Sequence, residues 1–242
     1  MRILIATALL AFAPACRSAG EDASTFAPPQ TTSTVNAAAS PGRPLRTPDE
    51  VPVTAPESNG DAHAEIGAPA PDFELSDLEG HRQKLSRFRG KMVVLEWFNP
   101  TCADVLYAYG EGGLREMQAR LATSGIVWLA INSAGPGDEG SDLALNQQFA
   151  AERHLPHPIL LDPTGVVGRA YGARTAPHMF IINERGVLVY SGGLDNAPGG
   201  KVESRASKTN YIETAIADLR SGHAVIQSST RPYGCEIKYA RP

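Results

Sequence analysis

The chain has 242 residues, with 22 basic and 26 acidic side chains and a net charge of −4. With 42% hydrophobic and 20% charged residues it has the composition of a globular protein, and the mildly acidic balance excludes a strongly basic nucleic-acid binder. Three cysteines, Cys16, Cys102 and Cys235, are too few for a disulfide-dense scaffold or a four-thiolate zinc site.

Arg2 is followed by the apolar run Ile3–Ala13 and then by Ala13-Pro14-Ala15-Cys16. One positive charge, a run too short to span a bilayer and small residues before a cut make residues 1–15 a signal peptide. The segment resembles a bacterial lipobox, which makes Cys16 a candidate lipid anchor and the only expected membrane contact. Residues 17–65 hold seven prolines and one aromatic, Phe26, with no sustained periodicity. Such a stretch cannot bury enough apolar area to offset its ordering entropy, so residues 16–65 read as a disordered linker. A flexible chain of that length spans roughly 35–45 Å.

Residues 66–242 read as one folded domain. Asp72–Leu75 alternates polar and apolar, as a short strand does. Met92–Phe98 is a buried-strand run stopped by Asn99-Pro100-Thr101, and a helix follows from about Ala103 to Leu121, irregular at Gly110–Gly113. Ile126–Ile131 is a second central strand, and Ser141-Asp142 offers a cap for a helix running to about His154. Pro158–Leu161 is a strand and Val166–Tyr171 a short helix. Met179–Ile182 and Val187–Tyr190 form a hairpin about Asn183–Gly186, and a last helix covers Thr209–Arg220. Alternating strands and helices with a terminal hairpin indicate an α/β layered fold with a mixed sheet.

Cys102 falls between a buried strand and the first turn of a helix. Unpaired N–H groups there favour a thiolate. The competing reading is a small core cysteine. Glu96 sits in the middle of an apolar strand, where a carboxylate is costly unless neutralised or hydrogen-bonded. Its pKa is expected to be raised, which suits a proton acceptor near a thiol; an outward-facing glutamate on an edge strand is the alternative. Thr175-Ala176-Pro177 precedes a strand, and a cis bond at Pro177 would turn a backbone edge toward a neighbouring loop.

This pattern resembles the thioredoxin superfamily over most of residues 66–242. Cys102 matches the first active-site cysteine, Glu96 the buried acid six residues upstream and Pro177 the cis-proline that faces the thiols. Val105 takes the place of the second cysteine. The resemblance implies a thioredoxin-like three-layer sandwich. Ala68–Phe73, Leu161–Gly165 and Ala170–Gly172 resemble the redoxin branch, which holds the peroxiredoxins and the alkyl hydroperoxide reductase/thiol-specific antioxidant group, with its N-terminal extension. Asn99–Ala103 and Tyr233-Gly234-Cys235 are similar to the Asn-Pro-x-Cys-Pro and Tyr-Gly-Cys segments of a peroxiredoxin-like subgroup, with Ala103 replacing the second proline. The peroxide-attacking cysteine of peroxiredoxins aligns with Val105, so peroxidase activity does not carry over directly.

Within this resemblance Cys235 is expected to pair with Cys102, closing ~134 residues at a worth of roughly 5 kcal/mol on a chain-entropy view. The bond is either permanent or cycles between dithiol and disulfide. Arg174 is a candidate to place a guanidinium near the thiolate, with a plain surface arginine as the equal alternative. The implied activity is that of an exported thiol–disulfide oxidoreductase or peroxiredoxin-like antioxidant protein of the bacterial periplasm or cell envelope. Its Cys102 thiolate would attack a protein or small-molecule disulfide or a hydroperoxide, with Cys235 resolving and the reductant unidentified. The alternative is a non-catalytic binding or scaffold lipoprotein with a structural disulfide.

No cofactor or metal is implied. Gly110–Gly113 lacks dinucleotide spacing, Gly199-Gly200-Lys201-Val202 lacks a phosphate loop's Ser or Thr, and no His-Glu-x-x-His or Gly-x-Ser-x-Gly occurs. His154 and His157, at a helix end before Pro158, are weak evidence for a metal site, and Leu106 stands where a copper-delivery protein of this fold carries its second cysteine.

Overall fold

The computed structural model describes residues 63–203 and 206–241. The signal peptide, Cys16 and almost all of the linker expected from the sequence lie outside the described residues. Nine strands and five α-helices follow one another in the described part: β1 (Glu74–Asp77), β2 (Arg82–Lys84), β3 (Val93–Trp97), α1 (Ala103–Tyr109), α2 (Leu114–Thr123), β4 (Val127–Asn132), α3 (Leu143–Arg153), β5 (Ile159–Leu161), α4 (Val166–Tyr171), β6 (Thr175–Ala176), β7 (His178–Ile182), β8 (Leu188–Gly192), α5 (Tyr211–Arg220) and β9 (Cys235–Glu236).

Seven strands form one sheet in the order β2-β1-β5-β4-β3-β7-β8. β3, β4 and β5 run parallel, and β1, β2, β7 and β8 extend the sheet antiparallel at its two sides. β3 is central, between β4 and β7, and all five of its residues are buried. This explains why its run is apolar apart from Glu96, since a strand covered on both faces has no solvated side to mark by alternation.

The period of two divides the core. Val94, Phe98, Trp128, Ala130, Met179 and Ile181 point to one face, where α1, α2, α5 and Phe149 of α3 cover them. Leu95, Trp97, Leu129, Ile131, Phe180 and Ile182 point to the other, against α4, Leu85 and the incoming segment at Ala70 and Phe73. The result is the three-layer thioredoxin-like arrangement, with an N-terminal extension that supplies β1 and β2.

The single irregular helix expected over 103–121 is two helices. Gly113 has φ +77° and starts α2, and a Cβ at Gly112 would lie 2.7 Å from the Ala108 Cα, so the chain turns where side chains are absent. The hairpin turn is as expected, with Asn183 Oδ1 accepting from the N–H groups of Arg185 and Val187. The strand placed at Asp72 begins two residues later, and β2, β6 and β9 are short strands that periodicity does not show.

α3 opens on Asp142, whose Oδ1 accepts from Leu145 N at 2.8 Å. Asp142→Ala is expected to cost about 1 kcal/mol, read as a lower urea midpoint at unchanged m-value. An unchanged midpoint would show that water replaces the cap at no cost.

Candidate active site at the Cys102–Cys235 disulfide

Cys102 is the N-cap of α1 and follows β3 through a tight turn. Asn99 builds that turn, its Oδ1 accepting from Thr101 N at 2.9 Å and from Thr101 Oγ1 at 2.8 Å. Leu106 N donates to the Cys102 carbonyl at 2.8 Å and starts the helix. The Cys102 side chain is 2% exposed and packs with Val105, Phe98 and Ala176.

Cys102 and Cys235 are joined as a disulfide, with Cα atoms 5.7 Å apart and a sequence separation of 133. The pairing expected from the sequence is therefore present. β9 brings Cys235 there: it pairs antiparallel with β6, Ala176 opposite Cys235 and Thr175 opposite Glu236, and Ile237 N donates to the Arg174 carbonyl at 2.9 Å. Cys235 N–H donates to Cys102 Sγ at 3.2 Å, and that sulfur lies 3.0 Å from the Ala176 carbonyl oxygen. Gly234 has φ +120°, and a Cβ there would stand 2.1 Å from the Ala176 oxygen. Only glycine lets the strand come this close.

The C-terminal segment has anchors other than sulfur. Tyr233 Oη donates to the buried Asp195 Oδ1 at 2.6 Å, and Lys208 Nζ is 3.4 Å from the second Asp195 oxygen. Tyr239 Oη donates to the Ala173 carbonyl at 2.7 Å, and the Arg169 guanidinium lies 4.8 Å from the Tyr239 ring centre. Upstream, Thr230 Oγ1 accepts from Gly193 N at 2.9 Å and shares a hydrogen with Tyr190 Oη at 2.6 Å. Tyr233 apart, none of these residues belongs to a motif marked in the sequence. They come together through the turn of the chain after α5.

The bond between Ala176 and Pro177 is cis, as the sequence suggested. The backbone edge it turns outward at Ala176 is occupied by β9 of the same chain. Arg174 is exposed, and its N–H donates to His178 Nδ1 at 3.3 Å. Burial, with the Arg174 charge adding to it, pushes the His178 ring down to about 4, and no hydrogen bond of Arg174 to either sulfur occurs among the described residues.

Glu96 is 0% exposed on the helix-covered face. Oε2 accepts from Tyr109 Oη at 2.8 Å, Trp128 Nε1 at 2.8 Å and Gln118 Nε2 at 3.3 Å. Oε1 has no partner among the described residues. Burial raises this carboxyl to about 7, against the two strongest donors, and pushes the Tyr109 phenol up as well. Tyr109 Oη is also 3.4 Å from Nε2 of His157, a ring that burial pushes down to about 4. The carboxyl is thus turned to an aromatic cluster and hydrogen-bonds neither sulfur. The acid near them is Asp104, with a carboxylate oxygen within 4.8 Å of both and a hydrogen bond from Gly199 N at 3.1 Å. Its place in the first turn of α1, two residues after Cys102, is the signal that could have found it. The close set Asp77, Glu79 and His81 belongs to the β1–β2 turn, where Asp77 Oδ1 accepts from Glu79 N and His81 N.

A profile of the AhpC/TSA family matches residues 66–191, which include Cys102 and end before Cys235. The thiol-disulfide oxidoreductase ResA of Geobacillus thermodenitrificans is 34% identical over 126 residues, which are 50% of this chain and 65% of that protein. The ResA of Halalkalibacterium halodurans is 30% identical over 133 residues, 54% of this chain and 71% of that protein. Among solved structures, a hypothetical protein from Sinorhizobium meliloti 1021 is 25% identical with a TM-score of 0.65, covering 74% of this chain and 96% of that one.

Glu96 is protonated in the fold up to about pH 7 but only to about 4.5 when unfolded, so it disfavours the fold increasingly as pH rises through that window. His157 and His178, held neutral in the fold, act in the opposite direction below 6.5 and are common to wild type and variant. The stability of Glu96→Gln relative to wild type is expected to grow by about 3 kcal/mol between pH 4.5 and pH 7, from urea midpoints. A difference constant with pH would show that Glu96 ionises freely in the fold. Gly234→Ala must open the β6–β9 pair, so the disulfide is expected to become easier to reduce in glutathione redox buffers; an unchanged midpoint would mean that the strand tolerates the side chain elsewhere.

Proposed function

The chain belongs to the AhpC/TSA family, and from that premise we propose that it is a thiol–disulfide oxidoreductase whose redox centre is the Cys102–Cys235 pair. The observation that carries the reading is the bond itself, formed between the helix-capping cysteine of the fold and a partner 133 residues away. The dithiol form with a substrate disulfide RSSR yields the protein disulfide and two RSH; with a hydroperoxide it yields the protein disulfide, an alcohol and water. The substrates are protein or small-molecule disulfides or hydroperoxides, and the reducing partner is a thiol.

The roles of the other site residues belong to the same proposal. Pro177 shapes the backbone beside the sulfurs and brings Ala176 into line with Cys235. Glu96 acts on Cys102 through its charge state and packing under α1, since it makes no contact with sulfur. Arg174 contributes long-range positive charge from the surface. Export, with residues 1–15 as a signal peptide and Cys16 as a lipid anchor, is supported by the apolar run after Arg2 and by a disulfide suited to an oxidising compartment.

A second reading, a binding or scaffold protein with a permanent bond, is favoured by the anchors at Tyr233 and Tyr239 that hold the C-terminal segment without sulfur. Redox titration and turnover separate the two. The oxidoreductase reading expects a pair potential above about −300 mV, with Cys102→Ser and Cys235→Ser each abolishing reduction of insulin disulfides or of a hydroperoxide. A potential below that value with no turnover of either substrate by the wild type would establish the structural bond.

A further inference from the structure

The two cysteines of the bond are not equally exposed. Cys102 is 2% exposed beneath β9, whereas Cys235 is partly exposed on the strand that covers it. Beside Cys235 runs an open groove of about 940 Å³, with Thr175, Asp195, Lys201, Arg231, Tyr233 and Gly234 in its walls. The backbone next to Cys235 is part of that wall. The family profile ends at residue 191, so it carries no statement about which of the two sulfurs meets a partner.

We infer that Cys235, not Cys102, is the sulfur that exchanges with an incoming thiol, and that Cys102 is the buried leaving group. This rests on the redox role proposed above, and it reverses the order of attack expected from the sequence. Thiol–disulfide exchange depends on which sulfur is accessible and on how readily the other leaves. A thiolate RS⁻ entering from the groove attacks Cys235 Sγ. The RS–SCys235 bond forms, the Cys235–Cys102 bond breaks and its electron pair stays on Cys102 Sγ. The N–H of Cys235 already donates to that sulfur at 3.2 Å and would serve the new thiolate charge. A second thiolate then attacks the R sulfur, releases RSSR and frees Cys235. In the direction that oxidises the protein, Cys235 thiolate attacks the substrate disulfide RSSR, forming Cys235–SR and releasing RS⁻, and Cys102 thiolate then attacks Cys235 Sγ, re-forming the protein disulfide and releasing the second RS⁻.

The anchors keep this order in the reduced protein. Tyr233 on Asp195, Ile237 on Arg174 and Tyr239 on Ala173 hold the segment on both sides of residue 235 without the S–S bond. Breaking the bond therefore leaves Cys235 in place and Cys102 covered.

Brief exposure of the native, oxidised full-length protein to reduced glutathione tests this, with an acid quench, alkylation by N-ethylmaleimide and peptide mass mapping. The expected product carries glutathione on Cys235 and maleimide on Cys102, in about tenfold or greater excess over the reverse. Equal labelling, or glutathione mainly on Cys102, overturns the assignment and leaves the redox pair intact. No adduct on the native protein, with ready reaction in urea, overturns both the assignment and the redox reading. The single variants give an independent measure: Cys235 in Cys102→Ser is expected to be alkylated by N-ethylmaleimide about tenfold faster than Cys102 in Cys235→Ser, each followed on its own peptide and so apart from Cys16, at circular dichroism matching wild type. Equal rates, or the reverse order, argue against Cys235.

Discussion

The two-residue pairing of β9 with β6 is the contact on which the candidate site depends. A two-stranded ladder this short has no stability of its own. It exists because three kinds of restraint converge on it: a disulfide, hydrogen bonds from Tyr233 and Tyr239, and a glycine that lets the strand reach the Ala176 oxygen. The same contact has two chemical consequences. It delivers a second sulfur to a chain that lacks one at position 105, and it buries the first. The disulfide partner and the cover come from one strand, so a change that loosens the cover also moves the partner sulfur.

A second constraint lies in the central strand. Glu96 occupies a position where every neighbour in β3 is apolar and buried. Its cost is limited by three donors to one oxygen, from Tyr109 in α1, Gln118 in α2 and Trp128 in β4, and by retention of a proton to about pH 7. These bonds cross from the sheet to two helices, so the buried acid also sets how α1 and α2 lie on the sheet. The carboxyl supports the helix that Cys102 caps, while Asp104 is the acid beside the sulfurs. A buried acid and a helix-capping cysteine six residues apart are thus joined through packing rather than by direct contact.

Much of this was legible in the chain. Periodicity marked β3, β4, β5, α4 and the β7–β8 hairpin to within a residue or two, because each is a continuous run with a turn residue at its end. Asp142 and Asn183 showed by their type where α3 begins and where the hairpin turns. The strands that periodicity missed, β2, β6 and β9, are two or three residues long. Nothing local stabilises such pieces, so nothing local records them. The break between α1 and α2 was visible as glycines, but the turn there follows from the close approach of Gly112 to Ala108.

By itself the sequence placed Cys102 at a strand-to-helix junction and Glu96 in an apolar strand, through local rules of capping, turn chemistry and burial cost, and through its resemblance to the redoxin branch it pointed to the domain type and to Cys235 as the partner of Cys102. Only the tertiary structure decided that β9 fills the edge at Ala176, that Glu96 faces Tyr109 and Trp128 instead of sulfur, that Arg174 is exposed, and that Cys235 is the more exposed of the two cysteines. Each of these depends on segments far apart in the chain meeting at one place, and the geometry of that meeting is set by the packing of the sheet and its helices, not by any one stretch of residues.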